Sequence, residues 1–106
     1  VNFDKVSVNL ETRNITVNSV KLHLTNKEYA ILELLILRRD MVTKEELMAH
    51  LYTNSENPEV KIIDVFVCKL RKKLADASGG KNYIETKWGR GYALKEYLNE
   101  NMIANQ

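Results

Sequence analysis

The hydrophobic period of this chain changes twice, and where it changes leaves few folds open. From Val6 to Leu24 apolar and polar residues alternate. Val6, Val8 and Leu10 flank Ser7 and Asn9, Ile15 and Val17 flank Thr16, and Val20, Leu22 and Leu24 flank Lys21 and His23. Period two is the pattern of a half-buried antiparallel sheet. Asn14 and Asn18-Ser19 are the expected turn residues between the runs, and Phe3 is the expected start of a further short strand. At Thr25 the period becomes helical, and it returns to two only at Tyr83.

Two capping boxes mark the helical part. In Thr25-Asn26-Lys27-Glu28 the Thr oxygen accepts the N3 amide and the Glu reaches back to the cap amide. The helix after it, through Leu37, carries Ala30, Ile31, Leu32, Leu34, Leu35, Ile36 and Leu37 nearly all round, which predicts a central, buried helix. A short apolar bridge at Met41-Val42 leads to the second box, Thr43-Lys44-Glu45-Glu46, and to a helix of about two turns through Leu47, Met48 and Leu51. A polar loop, Thr53 to Asn57, follows. Asn57-Pro58 reads as an N-cap with proline at N1, opening a long helix from Pro58 to about Ala77 that Ser78-Gly79-Gly80 stops. Tyr83 to Thr86 reads as a strand, Trp88-Gly89-Arg90-Gly91 as a turn, and Tyr92 to Leu94 as the returning strand. Residues 95–106 form a polar tail, a weak helix through Leu98 and Met102 or a fraying end.

The 106 residues make one α+β domain: an antiparallel sheet over 1–24, three helices over 25–77, and a β-hairpin over 83–94. The longest apolar stretch, Tyr29 to Leu37, is interrupted by Glu33, whereas a membrane-spanning helix needs ~20 apolar residues. The N-terminus lacks the pattern of a signal peptide. One cysteine, Cys68, excludes an internal disulfide and fits a reducing cytosol. A start at Val1 rather than Met reads as a piece of something longer.

The net charge of +2 argues for no partner, but its distribution does. Residues 1–57 carry seven basic and eight acidic groups, residues 58–92 eight and four, and residues 93–106 one and two. Positive charge gathers in the third helix and the hairpin. At 100° per residue, Val60, Ile63, Val67, Leu70 and Leu74 form one core stripe. Opposite lie Lys61, Val65, Lys69 and Lys72, flanked by Ile62, Cys68 and Lys73. Apolar groups among lysines suit the DNA major groove, which offers phosphates at its edges and thymine methyls on its floor. Asp64 and Arg71 lie between the faces, placed for an ion pair that orients the helix or, for Arg71, for a phosphate contact. Lys87-Trp88-Gly89-Arg90-Gly91 puts two cations and a tryptophan at a hairpin tip. An extended Arg90 suits a narrow A·T minor groove.

The run Asp64-Val65-Phe66-Val67-Cys68-Lys69-Leu70-Arg71-Lys72-Lys73-Leu74, followed by Ile84-Glu85-Thr86-Lys87-Trp88-Gly89-Arg90-Gly91-Tyr92, resembles the winged-helix effector domain of OmpR/PhoB-type response regulators, and within that family the bacterial cell-cycle regulators. The likeness covers about residues 3–95 and leaves out the tail. It implies a winged helix-turn-helix preceded by an antiparallel sheet, with the third helix in the major groove and the wing in an adjacent minor groove. Lys61, Val65, Lys69, Arg71 and Lys72 match family positions that face double-stranded DNA, and the outward face read above adds Ile62 and Cys68. The wing set is Thr86, Lys87, Trp88, Arg90 and Tyr92, and Tyr52 matches an aromatic position on a backbone phosphate. Thr53, Asn54, Ser55, Glu56 and Asn57 match the loop that engages RNA polymerase.

The family pairs such a domain with a receiver domain, absent here, that carries the phosphoacceptor. Family members sit head-to-tail on direct repeats, so an isolated effector domain is expected to be monomeric in solution, in the bacterial cytoplasm at the nucleoid. Cys68 and Lys69 stand where PhoB-like members carry Arg. Lysine does not copy a bidentate Arg–guanine contact, which favours an A·T-rich site. Trp88 stands where some members carry Arg, which passes that work to Arg90.

Enzyme chemistry finds little support. Cys68 with His23 or His50 has no evident third group to orient a nucleophile. One Cys and two isolated His have no metal-ligand spacing, and no cofactor is implied. Ser78-Gly79-Gly80-Lys81 would need Gly at 75 and Ser or Thr at 82 to be a phosphate loop, where the chain has Ala75 and Asn82. The alternative reading is a winged helix used as a protein-interaction module, which predicts a charge-poor face on the third helix.

Overall fold

The computed structural model describes residues 1–52 and 58–95. Four short strands, β1 (Asn2–Phe3), β2 (Val6–Asn9), β3 (Asn14–Val17) and β4 (Val20–Leu22), form an antiparallel sheet in chain order. Three helices follow: α1 (Asn26–Arg38), α2 (Lys44–Leu51) and α3 (Lys61–Ser78). A second sheet, ordered β5-β7-β6, joins β5 (Val42–Thr43) to the hairpin of β6 (Ile84–Lys87) and β7 (Gly91–Leu94). This is the winged-helix arrangement that the family resemblance implies. The loop 53–57, assigned above to RNA polymerase and to the Asn57 N-cap, and the tail 96–106 lie outside the described residues.

Both capping boxes form. The Thr25 oxygen accepts the Glu28 amide at 3.2 Å while Glu28 takes the Thr25 amide at 2.9 Å, and Thr43 and Glu46 do the same at 3.0 and 3.1 Å. Phe3, Val6, Val8, Ile15 and Val17 bury one face of the first sheet. α1 runs through the middle, against α2, α3, β5 and β7. Ile63, Val67, Leu70 and Leu74 close the core from α3. The first sheet also grips the far end of α3. The Phe3 ring meets Tyr83 edge-on at 5.7 Å, the Tyr83 hydroxyl donates to Asp4 at 2.7 Å, and the Asn18 amide donates to the Ala77 carbonyl at 3.3 Å.

Several local expectations are corrected. The long helix begins at Lys61, not Pro58, because the Ile62 and Ile63 amides bond back to Glu59 and Val60 in a tighter entering turn, and Val60 supplies no side-chain cap. Asn14 belongs to β3. The turn before it is organised by Asn9, whose side chain accepts the Glu11 and Thr12 amides, and by Arg13 at φ 60°. Asn18 and Ser19, at φ 52° and 66°, do form a turn. Val20 is exposed despite its place in the alternation, and Leu37 is exposed, so α1 has a solvent-facing seam at its end. Met41-Val42 is more than a bridge, since Val42 pairs with Tyr92 and Thr43 with Gly91. Thr43 is thus both strand residue and N-cap, which sets α2 directly on the wing.

Two glycines in the hairpin do different work. Gly89, at φ 70°, makes the turn at the tip. Gly91 lies where a Cβ would run into the Val42 carbonyl and come within 2.8 Å of the Thr43 Cα, so it lets β5 close on β7.

One ion pair crosses the core boundary. Glu28 is 2% exposed and receives Lys73 Nζ from α3 at 2.6 Å. Burial alone would raise this carboxyl. The hydrogen bonds from Lys73 and the Thr25 amide overcome burial and hold it below the ordinary 4.5. A lowered carboxyl stabilises the fold above its ordinary value and loses that contribution as pH falls through the folded value. Urea unfolding should therefore show the native protein losing more stability than Glu28→Gln on going from about pH 5 to about pH 3. At neutral pH, Gly91→Ala should lower the unfolding free energy by about 1–3 kcal/mol, because the obstructing atoms are backbone and cannot rotate away.

Candidate nucleic-acid interface

The buried stripe of α3 determines what the rest of the helix presents. Lys61, Val65, Cys68, Lys69 and Lys72 are exposed on the opposite side, with Val65 at 45% in the middle of the lysines. Ile62 is half-buried and packs partly against the core, so it borders this face rather than standing on it. Lys73 leaves the lysine face for Glu28. Lys72 lies 3.8 Å from Asp76, an exposed pair that water and salt weaken. The Cys68 thiol is free and exposed. His50 lies 3.8 Å from Glu33. Among the described residues no group of three or more His, Cys, Asp or Glu could hold a metal ion.

The wing is tied to α3 by the bonds of Arg71 to Ile84 and Thr86. Its turn closes through the Arg90 amide on the Lys87 carbonyl at 2.9 Å. Trp88, at 90% exposure, is the most exposed large apolar side chain described, so it belongs to the surface and not to the core. Arg90 is exposed beside it, and Lys87 lies 3.4 Å from Glu85. Along α3 and the wing tip, Lys61, Lys69 and Arg90 have no ion-pair partner among the described residues.

Three residues matched to DNA-facing positions are engaged within the protein. Arg71 sets Nε and Nη2 on the Ile84 carbonyl at 3.1 and 2.8 Å, places Nη2 on the Thr86 hydroxyl at 2.7 Å, and lays its guanidinium 5.4 Å over the Tyr92 ring. Tyr92 is 5% exposed and donates its hydroxyl to Asp64. It faces into the base of the wing. Burial, and then the Asp64 bond, push its hydroxyl up to about 12. The Tyr92 bond and Lys44 hold Asp64 below the ordinary carboxylate value against the effect of burial. Lys44 Nζ lies 3.1 and 3.2 Å from the two Asp64 oxygens. The ion pair open to Asp64, within the helix or between elements, is thus made between elements, with a partner on α2 that no sequence spacing pointed to. Tyr52 ends α2 half-buried, with Lys27 Nζ 4.4 Å over its ring. Lys27 was not among the expected site residues; its place in the first turn of α1 gave no signal of that contact.

Comparison with known proteins places this geometry. The family model described as "Transcriptional regulatory protein, C terminal" matches residues 19–94. Curated relatives include the cell cycle transcriptional regulator CtrA of Caulobacter vibrioides, 54% identical over 92 residues, and the cell cycle response regulator CtrA of Brucella anthropi, 56% identical over 90. These alignments cover 86% and 84% of this chain but only 40% and 39% of the relatives, so the chain spans well under half their length. Among solved structures, the DNA-binding domain of the response regulator AdeR in complex with an intercistronic region superposes with a TM-score of 0.78 at 27% identity, over 89% of this chain and 97% of that one. The DNA-binding domain of CpxR from E. coli gives 0.75 at 27%, over 89% and 93%. A match running from the turn before β4 to the end of the wing, with relatives more than half identical, settles the classification: the chain belongs to the C-terminal domains of transcriptional regulatory proteins, of the OmpR/PhoB type.

Proposed function

We propose that this chain is the double-stranded-DNA-binding output domain of a two-component response regulator, reading an A·T-rich direct-repeat half-site with α3 in the major groove and the wing in the adjacent minor groove. The observation that carries the reading is the set of exposed cations without an ion-pair partner among the described residues, Lys61 and Lys69 on α3 and Arg90 on the wing, with Val65 and Trp88 among them. Cations left unpaired on one surface are available to phosphates, and apolar groups between them fit methyls and sugars. The relatives named as transcriptional regulators, and the AdeR domain bound to an intercistronic region, support it. A module that only docks proteins would offer a charge-poor α3, and this one offers lysines.

In this reading Lys69 and Val65 meet base edges, Lys61 and Lys72 meet phosphates, and Cys68 is a small neutral neighbour on the groove floor. Ile62 borders the contact, and Tyr52 lies against the backbone. Lys87, Trp88 and Arg90 enter the minor groove, with Thr86 at its rim. Residues 53–57 engage RNA polymerase. A receiver domain elsewhere in the full-length protein supplies phosphorylation control and head-to-tail pairing in the bacterial cytoplasm, while the lone domain is monomeric.

Five exposed cations on this surface, Lys61, Lys69, Lys72, Lys87 and Arg90, set a log–log salt slope of about −4 to −5 for duplex binding by fluorescence anisotropy. A slope near zero would rule out phosphate contacts. Lys69→Ala should weaken binding to the preferred duplex about tenfold more than binding to a random pool, and Arg90→Ala should lose most on A·T-rich flanks. Equal losses on every sequence would remove base and shape readout from both residues. Trp88→Ala should lower affinity with the salt slope unchanged, since an indole displaces water and no counterion.

A further inference from the structure

Arg71 is the one residue of the α3 set whose guanidinium is already engaged, and its contacts all belong to the wing. Two nitrogens converge on the Ile84 carbonyl and one also reaches Thr86, both on β6, while the plane rests over Tyr92 on β7. About two helical turns earlier, Asp64 takes the Tyr92 hydroxyl and draws Lys44 in from α2. We infer that Arg71, seconded by Asp64, is a positioning residue that fixes the wing to the recognition helix so that the two grooves are engaged together, and that it does not neutralise a phosphate. The inference rests on the DNA-binding reading above and sharpens it, because it separates the cations that touch DNA from the one that aims them.

Geometry distinguishes the two roles. A planar guanidinium can hold a carbonyl and a hydroxyl while covering a ring; an ammonium keeps the charge but is a single point. A phosphate contact tolerates lysine, whereas a clasp across Ile84 and Thr86 does not. The half-buried setting of Arg71, behind the exposed Lys69 and Lys72, agrees with a clasp.

The test compares the native chain with Arg71→Lys, Arg71→Met and, as a milder change, Thr86→Val, each checked for folding by circular dichroism. Native-state amide exchange on the free proteins should show faster exchange in β6 and β7 of both Arg71 variants, with α1 and the first sheet unchanged. Unchanged exchange in the wing overturns the clasp whether or not DNA binds. Anisotropy on the A·T-rich duplex should show affinity falling about tenfold in Arg71→Lys and Arg71→Met alike, at an unchanged salt slope. Native-like affinity in Arg71→Lys, or a slope shallower by about one in Arg71→Met, identifies a phosphate contact and overturns the inference. Lys69→Ala and Arg90→Ala should be non-additive in the native background and additive in Arg71→Met. Additivity in both backgrounds denies the coupling of grooves. Failure of the native chain to bind any duplex at low salt refutes the DNA-binding reading and the coupling with it, while the exchange result still decides the clasp.

Discussion

Ile63, Val67, Leu70 and Leu74 are fully buried along one side of α3, and each removes from water a side chain worth about 2 kcal/mol. An exposed ion pair contributes about 0–1 kcal/mol. The rotation of α3 about its axis is therefore set by the apolar stripe, and the polar contacts accept what that rotation offers. Lys61, Val65, Lys69 and Lys72 are carried outward. Asp64 and Arg71 fall on one seam, within reach of α2 and the wing, and Lys73 falls on the other, within reach of Glu28. A helix rotated by one residue would bury Asp64 or expose Leu70, and both seams would lose their partners.

The same reasoning separates what the sequence disclosed from what it hid. Features built from neighbours were legible: the alternation through Val17, the boxes at Thr25 and Thr43, the α3 stripe, the glycine stop. Gly79 sits at φ 80° and the Gly80 amide bonds to Ala75 at 2.7 Å, as a helix stop requires. What stayed hidden is decided by distant residues. Val42 becomes a strand only because β7 arrives from the other end of the chain. Lys73 looks like part of the lysine face until α1 brings Glu28 to it. Tyr92 sits in a motif matched to DNA, yet Asp64 draws it inward. Pro58 satisfies the rule for an N1 residue, yet α3 starts at Lys61, because the turn through Glu59 and Val60 supplies the first bonds.

Charge gives a similar lesson in physical terms. The whole chain, at +2, understates the surface, and the eight basic groups of residues 58–92 overstate it. Lys73, Lys81 and Lys87 face Glu28, Asp4 and Glu85, Lys72 faces Asp76, and Arg71 lies on a carbonyl. Lys61, Lys69 and Arg90 are left without an ion-pair partner among the described residues. Those three are open to an anion without breaking an ion pair, and in the proposed reading the pairs of Lys72 and Lys87, both exposed, exchange for phosphate at little cost. The candidate site is thus defined by which cations the fold leaves unmatched more than by how many the sequence contains.

The wing shows how a short hairpin becomes a rigid pointer. Two strands alone are marginally stable in water. Here β5 adds a third strand because Gly91 admits the Val42 backbone, and α3 adds side-chain bonds to β6 and β7 through Arg71 and Asp64. The tip beyond those anchors is short, turned by Gly89, and carries Trp88 and Arg90 outward. With its base held from two sides, the tip has little conformational freedom left to lose, so in the proposed reading the contacts of Trp88 and Arg90 with a groove would count toward affinity nearly in full.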